Sequence, residues 1–317
     1  MFRNADGTLA PCADSNSLVD NVPELRTIAE IDVLSLANID SSNLQPHFWI
    51  SVAKGIYDRF DSYDGFVVTH GTDTLSYTSG ILSFMLQELG KPVVITGSQV
   101  PLDDIGSDGR ANLINAFRVA TTNISGVLVV FGSLVIRGTR AKKTSAFDLQ
   151  AFTSANAPPI GSIGLSIKFE NDIQERSRKK CLFQPFLQPD VAMVPVYPGI
   201  KPEVLSYLAS NHHGVVLEGY GPGNIPTDEK SLVPAIMEAT SRNVPVVVCT
   251  QCLVGSTEME VYQVGRAALN AGAIPAMDMT PETTLVKLMW VLGQTVDIKT
   301  VASLMQKSIA GELHEIG

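Results

Sequence analysis

The chain has 317 residues, 45% of them hydrophobic and 17% charged, with a formal net charge of −9. It is long enough to bury two cores, and its carboxylate excess repels a phosphate backbone or an anionic membrane surface, so nucleic-acid and membrane partners are not expected. Its apolar runs are strand-sized rather than the roughly 20 residues of a membrane span, and no charged-then-apolar leader is visible.

Residues 1–28 show no clear periodicity, and residues 4–7 (Asn-Ala-Asp-Gly) carry a turn signal. A short strand is expected at 30–36, followed by a polar cluster at 38–43. Residues 49–60 read as a helix and 65–69 as a buried strand. At 75–89 the positions Ile81, Leu82, Met85, Leu86 and Leu89 follow helical spacing, with Gly90 beyond the end. A strand at 92–96, a helix lined by Leu113, Ile114, Phe117 and Ala120, and a strand at 126–132 follow. This alternation predicts a larger N-terminal domain, 1–187, with a largely parallel sheet and helices on both faces.

The pattern is lost over 134–190. The cluster Arg176, Arg178, Lys179 and Lys180, with Pro185 and Pro189, reads as a solvated connection. Alternation resumes with strands near 192–196, 214–218 and 244–249, and helices near 202–210, 228–241, 259–271, 281–294 and 298–309. A smaller C-terminal α/β domain over 188–317 is therefore expected. Four cysteines (Cys12, Cys181, Cys249, Cys252) are too few for a disulfide scaffold. Cys249 and Cys252 form a CxxC at a strand end, with no second pair to complete a zinc site, and read as ordinary thiols of a reduced, cytoplasmic protein.

Four polar clusters bear on chemistry. Thr69-His70-Gly71-Thr72-Asp73-Thr74 follows a buried strand, where an open α/β sheet places its reacting groups. Thr72 and Asp73 suit a helix cap or a site, and the cluster holds more polar groups than one cap uses. Arg137 to Thr144 brings four cations into seven residues. Such runs are usually solvated, but a lysine held near Thr72 can take its proton where neighbouring cations and burial disfavour the ammonium form. Asp40-Ser41-Ser42-Asn43 reads as a turn, or as a source of short donors for a ligand carboxylate. Gly219-Tyr220-Gly221-Pro222-Gly223-Asn224 lacks the spacing of a dinucleotide fingerprint. His70 reads as a loop histidine with its hydrogen bonds met, not as a metal ligand.

These residues resemble the asparaginase/glutaminase family. Residues 67–74 are similar to one of its signatures. Residues 95–101, 107–113 and 197–200, with Thr250-Gln251-Cys252 and Asp278-Met279-Thr280, resemble the type I, cytoplasmic branch. The resemblance implies hydrolysis of L-asparagine to L-aspartate and ammonia, no cofactor and no metal, and a homodimer or homotetramer. It implies catalytic roles for Thr72, Asp73 and Lys143, with Thr72 a threonine nucleophile or its activator and Lys143 the proton-handling lysine. Asp40, Ser41, Ser42, Thr72 and Asp73 are implied to hold the substrate, and Asn224 to reach toward a neighbouring subunit's site. Thr250, Gln251 and Cys252 match part of the branch's allosteric site. Lys142 and Glu218 do not match its usual partners, so cooperative activation is not expected.

The family's opening Thr-Gly-Gly-Thr-Ile-Gly, whose first Thr is the principal nucleophile, is unmatched. No Thr-Gly-Gly-Thr occurs in the chain, no tyrosine precedes Tyr57, and Met1-Phe2-Arg3-Asn4 resembles the residues just after that motif. An N-terminal truncation is expected, and it bears on whether the chain as written turns over. The alternatives are a catalytically dead relative that binds a small amino acid, and an amidase subunit of a tRNA-dependent amidotransferase.

Overall fold

The computed structural model describes residues 2–3, 9–10, 16–170 and 173–314. The turn expected at 4–7 and Cys12 lie outside them. The chain forms two compact units, Met1–Pro185 and Phe186–Gly317.

The first unit is built on a six-stranded sheet. Its parallel part runs Phe66–Thr69, Pro92–Thr96, Gly126–Phe131, with Thr69 beside Thr96 and Pro92 beside Gly126. Leu134–Arg137, Gly161–Ile163 and Ile167–Phe169 extend it by antiparallel pairing. Val93, Val94, Ile95, Val129 and Val130 are fully buried, as expected of strands covered on both faces. Val94, Leu128 and Val130 pack with Ala116 and Val119 of the helix Gly109–Ala120. Strand side chains alternate faces. The opposite face belongs to the helix Leu75–Met85, whose Ile81, Leu82, Phe84 and Met85 are fully buried. Each such side chain contributes about 1.5–3 kcal/mol by leaving water.

Three expectations need correction. Residues 30–36 form no strand, and Val33, Leu34 and Leu36 are exposed; among the described residues no strand is paired with this stretch. The helix expected at 75–89 stops at Met85, where Leu86–Gln87 turns into an antiparallel pairing with Leu182–Phe183. The stretch 134–190 is not simply a connection but carries several short antiparallel pairs, including Ala141–Lys143 with Phe152–Ser154. Within it Arg178, Lys179 and Lys180 are exposed as expected, but Arg176 is only partly so. Its guanidinium donates to the carbonyls of Thr122, Asp64 and Ala120.

The second unit holds four parallel strands in the order Val191–Pro195, Gly214–Gly219, Val246–Thr250, Ile274–Pro275. Leu205, Val215, Leu217, Ile236, Val246 and Val248 belong to one buried cluster. Helices Pro202–Asn211, Val233–Ser241, Gln263–Asn270 and Pro281–Gln294 accompany the strands. Asp297 caps the last helix, Ile298–Met305, by accepting from Thr300 N at 2.9 Å. Lys287 and Glu312 form a fully buried ion pair at 2.6 Å. Lys287 Nζ also donates to Met305 O and Lys307 O, and Glu312 accepts from Ile309 N and Ala310 N. Among the described residues no helix is long and apolar enough to cross a membrane.

Candidate active site

Because Phe66–Thr69 and Pro92–Thr96 are neighbouring parallel strands in register, the loops that leave their carboxyl ends are neighbours too. His70 N donates to Thr96 O at 2.8 Å. A Cβ at Gly97 would lie 2.2 Å from His70 O, so only glycine lets these loops cross. Thr72 and Gln99, 27 residues apart, meet there: Thr72 Oγ1 donates to Gln99 Oε1 at 3.1 Å.

The helix Leu75–Met85 brings in the third segment. Its polar flank packs on the turn Gly138–Arg140, where Ser79 Oγ donates to Gly138 O at 2.7 Å and a Cβ at Gly138 would crowd Ser83 Oγ. Thr139 and Arg140 are buried, so part of the basic run is core rather than solvated face. The chain then enters the pair Ala141–Lys143 with Phe152–Ser154, in which Lys143 stands opposite the fully buried Phe152. From there Lys143 Nζ lies 2.7 Å from Thr72 Oγ1 and 2.7 Å from Asp73 Oδ1. The Lys143 side chain is 22% exposed and that of Asp73 62%. The carboxylate is thus open to a ligand, while the amine is largely covered.

The capping reading of this cluster does not hold. Thr74 occupies the N-cap of Leu75–Met85 without a side-chain cap bond. Its hydroxyl donates instead to Ser41 O at 2.8 Å. Gly71 closes on the same residue, where an added Cβ would fall 2.6 Å from Ser41 Oγ. Asp40, Ser41 and Ser42 are thereby stitched to the Thr72 loop. Asp40 caps the turn Ser41–Asn43, accepting from Ser42 Oγ at 2.6 Å and Ser42 N at 2.8 Å. The Ser42 hydroxyl and then its amide hold the Asp40 carboxyl below the usual carboxylate range.

His70 is a loop histidine with both ring nitrogens engaged, as its sequence context predicts. Nδ1 lies 2.7 Å from Gly71 O and Nε2 2.9 Å from Thr78 Oγ1, to which Trp49 Nε1 also donates at 3.0 Å. Burial pushes the imidazole below its ordinary range, and the Gly71 carbonyl partly opposes this. Among the described residues no group of three His, Cys, Asp or Glu is placed to hold a metal.

Asn224 belongs to the second unit. It closes the glycine-rich turn after Gly214–Gly219 by exchanging hydrogen bonds with Tyr220, which Gly221 and Gly223 permit by positive φ of 45° and 91°. Its Oδ1 is buried without a hydrogen-bond partner among the described residues. Nearby, the Gln251 amide donates to Val196 O and Glu218 O, and Thr250 Oγ1 to Gly221 O. Cys181 and Cys249 are buried and Cys252 is exposed, and none of the three is in a disulfide.

Composition and periodicity leave out Gln99, Thr78 and Trp49. The signal for Gln99 is its place at the carboxyl end of the strand beside Phe66–Thr69, which needs the strand order and not only the strand.

Comparison with known proteins agrees with this architecture. Family models described as "Asparaginase, N-terminal" and "Glutaminase/Asparaginase C-terminal domain" match residues 1–175 and 190–305. An L-asparaginase of Thermococcus kodakarensis is 42% identical, over 90% of this chain and 87% of its own. One of the glutamyl-tRNA(Gln) amidotransferase subunits of Pyrococcus horikoshii is 39% identical, over 97% of this chain and 72% of its own. The solved structure of the thermostable L-asparaginase from Thermococcus kodakarensis superposes with a TM-score of 0.89 at 37% identity, covering 99% of this chain and 96% of that one. With both halves matched by the family models and relatives this similar along nearly the whole length, the chain belongs to the asparaginase family.

Proposed function

We propose that the chain is an L-asparagine amidohydrolase, releasing L-aspartate and ammonia. The observation that carries this reading is Lys143 Nζ at 2.7 Å from both Thr72 Oγ1 and Asp73 Oδ1. A small zwitterion needs a carboxylate for its ammonium and neutral donors for its own carboxylate. Asp73 supplies the first, and the Ser41–Ser42 turn, with Asp40, holds the substrate's charged ends. An arriving ammonium competes with Lys143 for Asp73. Lys143 is then left with Thr72, whose proton it takes in its neutral form.

A threonine hydroxyl, Thr72 Oγ1 itself or one that Thr72 activates, adds to the carboxamide carbon, and Lys143 returns the proton to the nitrogen that leaves as ammonia. Water cleaves the resulting ester to give aspartate and regenerate the hydroxyl. The family resemblance names the first Thr of a Thr-Gly-Gly-Thr segment as principal nucleophile; that segment does not occur in these 317 residues, and Thr72 is assigned here as the nucleophile or its activator on its contact with Lys143. Asn224 is assigned to the site of a neighbouring copy in a homodimer or homotetramer. The chain works without a cofactor or metal, and the lack of a disulfide at Cys181, Cys249 and Cys252 fits a cytoplasmic setting.

The test is ammonia release from L-asparagine by the folded 317-residue chain. Turnover supports Thr72 as a sufficient nucleophile. Asparagine binding without turnover refutes that assignment. Rescue by an added Thr-Gly-Gly-Thr segment then places the nucleophile there, and failure of rescue with the fold intact marks an inert binder. A second reading rests on the amidotransferase relative, which aligns with 97% of this chain. Under it, ammonia would be released efficiently only with a partner protein and charged tRNA, an association that the net charge of −9 disfavours.

A further inference from the structure

The proposed chemistry uses Thr72, Asp73 and Lys143 and leaves unused the polar chain beside them. Trp49 Nε1 donates to Thr78 Oγ1 at 3.0 Å, Thr78 Oγ1 lies 2.9 Å from His70 Nε2, and His70 Nδ1 lies 2.7 Å from Gly71 O. Trp49 and Thr78 are buried, so solvent does not compete at that end. The two ends fix every direction between them, because an indole N–H only donates and a carbonyl oxygen only accepts. Gly71 O requires the proton on Nδ1, which leaves Nε2 of the neutral ring as an acceptor. Thr78 meets both neighbours at once: a lone pair takes the Trp49 N–H, and its single proton goes to Nε2. The opposite tautomer would set a bare Nδ1 against Gly71 O and aim two donors at the Thr78 oxygen, leaving the hydroxyl proton without either partner.

This relay ends on the peptide that introduces the site. His70 N is tied to Thr96 O, and His70 O passes close over Gly97. Gly71 comes next and, lacking a Cβ, is the residue of the loop most able to turn about its backbone. With its carbonyl gripped by Nδ1–H, the planar Gly71–Thr72 peptide takes one orientation. That plane sets the exit of Thr72 and Asp73, whose Oγ1 and Oδ1 both reach Lys143 Nζ at 2.7 Å. Trp49 stands on the helix Pro46–Tyr57, which follows the turn capped by Asp40. One stretch of chain therefore reaches the Thr72 loop twice, directly at Ser41 and through the relay from Trp49.

We propose that His70, held as its Nδ1–H tautomer by Trp49 and Thr78, is a positioning residue that fixes the Gly71 carbonyl and thereby the presentation of Thr72 and Asp73. This rests on the reading of Thr72, Asp73 and Lys143 as the ligand site, and it holds whichever hydroxyl attacks.

Two measurements on the full chain test this, and neither needs turnover. The first is the tautomer of His70, read by nitrogen NMR of the labelled ring at neutral pH. Nδ1 is expected to carry the proton, and a neutral ring with its proton on Nε2 overturns the proposal. The second is calorimetric binding of L-asparagine by His70→Asn and His70→Gln. An Asn amide places its donor where Nδ1 stands and still grips Gly71 O, whereas a Gln amide places it where Nε2 stands and keeps only the Thr78 contact. Losing the grip on Gly71 is expected to weaken binding about tenfold in His70→Gln, with His70→Asn within about threefold of the parent. Equal weakening in the two variants makes His70 a packing residue and overturns the proposal, and parental affinity in both does the same. Should His70→Gln not fold, Trp49→Phe removes the far N–H; a shifted His70 Nε2 resonance is expected, and an unmoved one overturns the relay. If the folded parent binds no asparagine while Nδ1 carries the proton, the site reading fails first and takes this proposal with it. If the parent binds and the proton is on Nε2, the His70 assignment alone is lost.

Discussion

Gly71→Ala tests whether the Asp40–Ser42 turn and the Thr72 loop work as one surface. The added methyl would sit 2.6 Å from Ser41 Oγ, 2.7 Å from Ser41 Cβ and 3.4 Å from Ser41 N. Relaxed contacts between carbon atoms lie at about 3.5–4.0 Å, so one segment must retreat by roughly 1 Å. Ser41 has little freedom to do so alone: it is 7% exposed, and its carbonyl accepts from Thr74 Oγ1 and Leu44 N. Overpacking of this kind costs about 1–3 kcal/mol. At roughly 2–4 °C per kcal/mol, that lowers the melting temperature by about 2–12 °C. The larger effect falls on binding. Misplacing one charge-assisted hydrogen bond to substrate, worth about 1.5–3 kcal/mol, raises KM by roughly 10- to 150-fold. Lys143 keeps its contacts with Thr72 and Asp73, so kcat at saturation should fall far less. The assay is initial-rate ammonia release across asparagine concentrations, beside a thermal melt. A variant with unchanged KM and unchanged melting temperature would show that the Ser41 turn does not constrain the site.

Lys143→Met should lower kcat by roughly 10²–10⁴-fold while calorimetric asparagine binding persists; near-normal rates would remove Lys143 from the proton path. Lys287→Met strands a carboxylate that is 0% exposed. It should destabilise the protein by about 3–5 kcal/mol in urea unfolding, and an unchanged midpoint would contradict the pairing as drawn. The His70 imidazole is held below its unfolded value of 6.5 by burial, so the fold refuses a proton that the unfolded chain accepts. That contribution to stability is complete above pH 6.5 and is lost as pH falls from 6.5 toward the folded value. Asp40, Asp190 and Asp297, whose carboxyls are held below 3.8, act only at lower pH. Unfolding free energy measured from pH 7.5 to 5.5 should therefore decline less in His70→Gln than in the parent; equal slopes would refute the argument.

The parallel strands and their covering helices were legible because continuous apolar runs such as 92–96 and 126–131 admit few other environments. The strand expected at 30–36 failed for the complementary reason. Its alternation of apolar side chains says nothing about whether a neighbour exists to take its backbone hydrogen bonds. The short antiparallel pairs between 134 and 169 were missed because segments of three or four residues carry almost no periodicity. For the site, the residue types at Thr72, Asp73 and Lys143 suggested chemistry, but 71 positions separate Thr72 from Lys143. Their meeting depends on Ser79 and Ser83 seating the Gly138 turn against a helix flank, a packing detail no local pattern records. Gln99 needed the order of strands in the sheet.

The Arg176 clamp has a bearing on how the first unit assembles in time. Its three carbonyl acceptors, at residues 64, 120 and 122, belong to segments 54 to 112 positions upstream. The guanidinium gains nothing until the backbone at all three has been brought together, so loop-closure entropy is spent before these bonds form. Contacts of that kind are made after the main barrier and act on the way out rather than the way in. Arg176→Ala should accordingly speed unfolding in denaturant while leaving the refolding rate of the chain close to unchanged. A refolding limb that slows in step with the lost stability would place the clamp in the folding nucleus instead.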